Sequence, residues 1–213
     1  MISAFEALAR LREGNHRFVL GIRTLGTVIT RAQRAAFVDG QQPFAVILGC
    51  SDSRVPVEIV FDQGMGDLFV IRVAGNIVAP SQIGSVEFAA ERFGTRLVVV
   101  LGHTRCGAIE ATVEALQSAN DEPSRNLSSI IDRIRPSVEG LLATDVARDR
   151  ETLLRHAVRA NVRMSANQLR HGSEVLERLI EGDELLVVGA EYSLETGVVD
   201  FFDGVPSDAD YVG

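Results

Sequence analysis

Three unbroken apolar runs, each closed by a glycine, limit what this chain can fold into. They are Phe44-Ala45-Val46-Ile47-Leu48-Gly49, Leu97-Val98-Val99-Val100-Leu101-Gly102 and Leu185-Leu186-Val187-Val188-Gly189. Leu68-Phe69-Val70-Ile71 is a shorter fourth member. A strand with one wet face alternates apolar and polar residues, so runs without alternation suit central strands covered on both faces. Between the runs the apolar spacing changes to that of a helix. Ile83, Val86, Ala90 and Phe93 share one helical face, and so do Ile109, Val113 and Leu116. Leu154, Val158, Val162 and Leu169 mark the longest helix, which should stop near His171-Gly172, where glycine can cap. Strands alternating with helices predict an α/β fold with a mostly parallel central sheet flanked by helices. Gly197 to Phe202 would add a C-terminal edge strand, antiparallel if a tight turn leads into it.

Residues 1–40 read as an N-terminal helical arm of the same domain, with 41–213 forming the α/β body. The arm shows two helical stretches, Ala4 to Arg12 and Thr30 to Val38, and no strand between them. Their apolar faces (Phe5, Leu8, Leu11, then Ala32, Ala36, Phe37) must cover either their own sheet or a neighbouring subunit, and packing across a subunit boundary is the expectation. Ser118 to Arg125 is polar and reads as an exposed loop.

A formal net charge of −8 argues against a nucleic-acid backbone as partner, and no Lys/Arg block lies beside interleaved aromatics. The apolar runs are far too short to cross a bilayer. Met1 to Arg12 carries Glu6 and Arg10 and lacks the apolar core of a signal peptide, so a soluble, cytoplasmic protein without a membrane partner is expected. Secreted disulfide scaffolds normally hold more than this chain's two cysteines, and in a shorter chain.

Those two cysteines sit in Cys50-Ser51-Asp52-Ser53-Arg54 and His103-Thr104-Arg105-Cys106, each directly beyond an apolar run. In an open α/β sheet, ligands gather beyond the carboxyl ends of the strands. If the first and third runs are neighbours, both segments reach one sheet edge, and Gly49 and Gly102 let the backbone turn and approach closely. Cys50, His103 and Cys106 then offer two thiolates and an imidazole. A fourth position is left for water or the Asp52 carboxylate, the pattern of a catalytic zinc site more than a closed structural one. Taken singly, each residue has a plainer explanation: a core cysteine, a hydrogen-bonded histidine, a surface Asp/Arg pair. Their joint placement at two strand ends is what favours the metal. His16, His156 and His171 lie in helical contexts and read as ordinary solvated residues.

The sequence Cys50-Ser-Asp52-Ser-Arg54-Val55, followed by Arg72-Val-Ala-Gly-Asn76 and Gly102-His103-Thr-Arg-Cys106-Gly107, resembles the β-class carbonic anhydrases. The resemblance runs from about Gln41 through Val199-Asp-Phe201. It implies one Zn2+ per subunit on Cys50, His103 and Cys106, with Asp52 and Arg54 as a dyad beside the water that the metal activates. In an inactive closed state Asp52 would itself take the fourth position. The resemblance further implies a pocket with Gln41 positioning carbon dioxide or bicarbonate, the Gly107 amide near the substrate, and Phe69 as an aromatic wall. Phe88 stands where plant-type members carry a tyrosine, and is a candidate contribution from the partner subunit in a homodimer or dimer of dimers. Arg72-Val73-Ala74 departs from the commoner Arg-Asn-Ala. Ile47 occupies the position of the tryptophan in a bicarbonate-regulation triad, so that triad is expected to be absent.

The implied activity is hydration of carbon dioxide to bicarbonate and a proton through a zinc-held hydroxide, with Asp52 kept ionised and off the metal by Arg54. Two rivals share the ligands: a carbon disulfide hydrolase of the same fold, and a non-catalytic zinc scaffold, which the presence of both Asp52 and Arg54 disfavours. A dinucleotide enzyme also fits the coarse fold, but Gly-Cys-Ser-Asp lacks the glycine spacing that cradles a pyrophosphate.

Overall fold

The computed structural model describes residues 2–22, 34, 35, 37–118 and 123–206. Its elements in chain order are α1 (Ala4–Val19), β1 (Ala45–Gly49), α2 (Val57–Val60), β2 (Leu68–Arg72) and α3 (Pro80–Phe93), then β3 (Leu97–His103), α4 (Gly107–Gln117), α5 (Arg125–Leu142), α6 (Arg150–His171), α7 (Glu174–Glu181), β4 (Leu186–Tyr192) and β5 (Val199–Asp203). The five strands form one sheet in the order β2-β1-β3-β4-β5, with β1 to β4 parallel and β5 antiparallel to β4. The three long apolar runs are the inner strands β1, β3 and β4. The shorter run at Leu68–Ile71, expected to be central with them, is the edge strand β2, with Phe69 and Val70 only partly buried, and the predicted C-terminal edge strand is β5. Among the described residues no helix is long and apolar enough to cross a membrane.

Successive side chains of a strand point to opposite faces, and the core divides accordingly. Ala45 and Ile47 of β1, with Val99 and Leu101 of β3, pack under α1 and α2. Val46 and Leu48, with Val98 and Val100, pack under α3, α6 and α7. A third cluster lies beyond the carboxyl ends of the strands, where Ile109 and Val113 of α4, Ile134 and Val138 of α5, and Leu153, Ala157 and Val158 of α6 surround Cys50 and Cys106. On α6 the buried face runs Leu153, Ala157, Val158, Asn161, Val162, Ser165, Ala166, Leu169; Leu154 is half-buried at its border. Helices α2, α5 and α7 are the elements for which hydropathy raised no expectation, and α5 is the longest of them. Pro136 sits inside it, and proline normally marks a break.

Helix α1 corrects the expectation of packing across a subunit boundary. Ala7, Leu8 and Leu11 are fully buried within this chain, against the sheet and α2. The helix also runs to Val19 rather than Arg12. Its start is fixed by a capping box in which Ser3 Oγ accepts from the Glu6 amide at 3.2 Å and Glu6 accepts from the Ser3 amide at 2.8 Å. Its polar extension is held by Asn15, whose amide donates to the carbonyls of Val60 (3.2 Å) and Gly197 (2.9 Å) and whose Oδ1 accepts from the Val199 amide (2.9 Å). Leu8→Ala should therefore cost about 2–5 kcal/mol of stability, read from urea denaturation. A loss within the roughly 0.5 kcal/mol of a surface substitution would put the helix outside the core.

The helix expected over Thr30 to Val38 lies largely outside the described residues; Arg34 and Ala35 are helical. Ser118 and Arg125 bound the predicted loop as the C-cap of α4 and the first residue of α5, and 119–122 lie outside the described residues.

Candidate metal centre

Strands β1 and β3 are hydrogen-bonded neighbours with Gly49 opposite Leu101, so their carboxyl ends deliver both segments to one place. Cys50 is the first residue past β1, His103 the last of β3, and Cys106 the N-cap of α4. Gly102 is needed for close approach: a Cβ there would lie 2.5 Å from Val162 Cγ2 and 3.2 Å from Val158 Cγ1 of α6. Gly49 has no such constraint, since a Cβ there would meet only Val57 Cγ1, at an ordinary 3.5 Å.

The ligand atoms of Cys50, His103 and Cys106 all lie within 4.8 Å of one another, and all three residues are buried. The two sulfurs are 3.9 Å apart and unbridged. His103 Nδ1 is 2.9 Å from the Thr104 carbonyl, which assigns the proton to Nδ1 and leaves the Nε2 lone pair facing inward. Nε2 is fully buried and has no hydrogen-bond partner among the described residues. An orphaned buried acceptor costs about 1–3 kcal/mol. Facing two sulfurs, it is explained by a cation between them, and two thiolates with one imidazole are a zinc donor set.

The protein prepares these thiols for metal. Hydrogen bonding from Cys106 pulls the Cys50 thiol down against the opposing effect of burial, and the amides of Gly75 and Asp52 help. The same pairing, with burial, pushes Cys106 up, although the Ile109 and Ala108 amides at the start of α4 favour its thiolate. Two thiolates this close repel, so the second ionises readily only against a cation.

Beside the triad, both oxygens of Asp52 are clamped by Arg54. Oδ1 accepts from Arg54 N and Nε, each at 2.9 Å, and Oδ2 accepts from Nη2 at 2.7 Å. This bidentate bond, mainly, holds the Asp52 carboxyl far below the usual carboxylate range. Oδ2 is 3.8 Å from His103 Nε2. Arg54 Nη2 also donates to the Arg105 carbonyl at 3.1 Å. Arg105 has a left-handed backbone (φ 55°) and is held by Glu195, whose carboxylate accepts from Arg105 Nε and Thr104 Oγ1, each at 2.7 Å. Those two bonds draw the Glu195 carboxyl down to about 2, with Thr104 the larger cause. Arg72, at the end of β2, donates from Nε to the Cys50 carbonyl (2.9 Å) and from Nη2 to the Asp52 carbonyl (2.5 Å). Sequence reasoning assigned no role to Arg72 or Glu195. Arg72 lay within a quoted motif and could have been flagged; Glu195, ninety positions from its partners, carried no local signal.

The expected pocket residues do not converge on the triad within one chain. Gly107 does, as the first residue of α4 after Cys106, and a Cβ there would meet nothing within 4 Å. Gln41 is exposed and precedes β1, at the end opposite the site. Strand rise alone puts Ala45 on the order of 16 Å from Cys50. Phe69 pairs in register with Val46, four positions upstream of Cys50. Phe88 is half-exposed, with its ring 6.3 Å from that of Phe69 and 5.5 Å from that of Phe93. Gln41, Phe69 and Phe88 thus stand apart from the triad of their own chain. Ile47 is fully buried in the sheet core.

A parallel sheet with a buried Cys2His triad at two adjacent strand ends, flanked by an arginine-clamped aspartate, defines a zinc metalloprotein of the α/β class. The profile of the carbonic anhydrase family matches residues 45–199. Carbonic anhydrase 2 of Mycobacterium tuberculosis is 37% identical over 196 residues, covering 92% of this chain and 90% of that protein. The carbonic anhydrase of Mycolicibacterium smegmatis is 36% identical, covering 93% and 92%. Among solved structures, the β-carbonic anhydrase CafA of Aspergillus fumigatus superposes with a TM-score of 0.73 at 23% identity, covering 96% of this chain and 93% of its own. One of two β-carbonic anhydrases of Sordaria macrospora, described as tetrameric, superposes with a TM-score of 0.69 at 22% identity, covering 79% and 85%. This chain belongs to the carbonic anhydrase family, and its fold is that of the β-carbonic anhydrase structures.

Proposed function

We propose that this protein catalyses the reversible hydration of carbon dioxide to bicarbonate and a proton, with one zinc ion per subunit on Cys50, His103 and Cys106. The observation that carries the reading is the unpartnered, buried His103 Nε2 facing two free thiols, with the Arg54-clamped Asp52 3.8 Å away. Bound there, zinc supplies the Lewis acidity that makes water a nucleophile near neutral pH.

The chain's own groups do the rest. Arg54 keeps Asp52 ionised and engages both of its oxygens, which would hold the carboxylate back from a cation on the triad. Its remaining lone pairs accept a hydrogen bond from the attacking water and so orient the oxygen towards carbon. The Gly107 amide lies in the first turn of α4 and has no intrahelical acceptor, and a Cβ on Gly107 would meet nothing within 4 Å; we assign this amide to a substrate oxygen. The clamp is rigid because Arg105 receives Arg54 and is itself fixed by Glu195. Stopped-flow hydration of carbon dioxide by the zinc-loaded protein is the test, run beside sulfide release from carbon disulfide. Activity on carbon disulfide alone, or on neither substrate, overturns the reading.

We further infer a homodimer or dimer of dimers in which Gln41 and Phe88 line the partner's pocket, since neither reaches the triad of its own chain. Residues 1–40 belong to the same domain as 41–213, supported by the burial of Leu8 and Leu11 in the shared core. Two unbridged thiols used as ligands suit a reducing compartment, which supports a cytoplasmic location. Analytical ultracentrifugation at micromolar concentration should give a dimer or larger species, and an active monomer would overturn the shared pocket.

A further inference from the structure

The turn after β2 is built around an unusual backbone. Ala74–Asn76 forms a single 3-10 turn in which Gly75 (φ 69°, ψ 19°) and Asn76 (φ 42°) are consecutively left-handed. Gly75 has no room for a side chain, because a Cβ would lie 2.7 Å from Ile134 Cδ1 and 3.2 Å from Ala108 Cβ. Its amide N–H donates to Cys50 Sγ at 3.3 Å, so this turn supplies a hydrogen bond to one of the two candidate ligand sulfurs. Glycine reaches φ > 0 about as readily as φ < 0, so a further contact must select the left-handed state here.

The group that does so comes from 86 positions away. Asn161 Nδ2, on the inner face of α6, donates to the Gly75 carbonyl at 2.7 Å. Asn161 is 1% exposed, on the same helix as Val158 and Val162, which pack against Gly102. Asparagine is a poor helix former and costly to bury, so neither helix propensity nor packing explains its place here. Gly75 is thus held at both ends, its carbonyl by Asn161 and its N–H by Cys50 Sγ. With the carbonyl pinned, the glycine cannot rotate out of the left-handed region and turn its amide away from the sulfur.

We infer that Asn161 is a positioning residue of the metal centre, acting through Gly75 to aim an N–H at Cys50 and so set how strongly that thiolate donates to zinc. The inference rests on the zinc reading proposed above. Hydrogen bonds to a ligand atom orient it and tune its basicity, and losing such a partner typically costs about 10–100-fold in metal affinity or activity.

The test compares Asn161→Ala with Leu169→Ala, a control that removes a fully buried side chain about two turns further along the same helix, in the core cluster away from the cysteines. Zinc affinity is measured by chelator competition, and the thiolate-to-metal charge-transfer absorption is recorded after loading with cobalt(II). Asn161→Ala should weaken zinc by about 10–100-fold and shift the cobalt band. Leu169→Ala should leave both at wild-type values even if its melting temperature falls as far. Unchanged affinity and spectrum in Asn161→Ala, or the same changes in Leu169→Ala, would overturn the role. If Asn161→Ala does not fold, Asn161→Leu, which fills the space without a donor, takes its place. Failure of both to fold while Leu169→Ala folds would make Asn161 a folding residue and reject the inference. A wild-type protein that takes up no zinc would instead reject the reading of the site itself.

Discussion

Cys50→Ser and Cys106→Ser are expected to lose tight zinc binding, each retaining far less than one ion per chain after a chelator wash, where the wild type retains one. Removal of an outer-shell partner costs about 10–100-fold in affinity. A deleted thiolate should cost more, because it removes both a soft donor and a negative charge. The two sulfurs stand 3.9 Å apart, no further Cys or His among the described residues joins their cluster with His103, and the Asp52 carboxylate beside them is engaged by Arg54. Stability should fall as well, since a metal bound by the folded state alone stabilises it by mass action. Serine in place of either buried thiol also leaves a hydroxyl in an apolar cluster. Elemental analysis reads the zinc content, and thermal melts with and without chelator read the linkage. Full zinc occupancy in both variants at wild-type affinity would sink the ligand assignment.

Asp52→Asn should keep its zinc and lose carbon dioxide hydration by about 10²-fold or more, the scale on which a positioned proton-accepting group acts. An amide nitrogen cannot accept from Arg54, so the substitution breaks one arm of the bidentate bond and one of the water-orienting lone pairs together. Arg54→Ala should be damaging for a different reason. It frees a carboxylate whose Oδ2 already lies 3.8 Å from His103 Nε2, and a free carboxylate beside a cation becomes its ligand. The double variant should be little worse than either single one, because the two side chains act as a unit. Stopped-flow rates on variants of verified zinc content decide this, and near-wild-type turnover in either would remove the dyad from the mechanism.

How far the sequence could be read depended on whether a signal was local. The apolar runs at Phe44, Leu97 and Leu185 declared central strands because a strand buried on both faces cannot alternate. Cys50, Asp52 and Arg54 were legible together because they occupy one short segment. Helix α5 was not: Pro136 and a polar surface masked a face whose buried residues, Ile131, Ile134 and Val138, gain meaning only where the helix packs beside the two cysteines. The polar continuation of α1 beyond Arg12 escaped for the same reason, since Asn15 is buried through hydrogen bonds to residues 45 and 182 or more positions away.

By itself, the sequence determined the chemistry: two thiols, an imidazole and an Asp/Arg pair placed just beyond strand-forming runs. Only the tertiary structure decided which of these groups meet and what holds them. Pairing of β1 with β3 brings Cys50 to His103 and Cys106, while the same register carries Phe69 and Gln41 towards the far end of the strand. Packing of α6 onto Gly102 places Asn161 on the Gly75 carbonyl, and the β4–β5 turn brings Glu195 to Arg105. Hydropathy reports which residues leave water. It does not report which distant polar groups then satisfy one another, because that depends on strand order and helix approach, fixed only when the whole core closes.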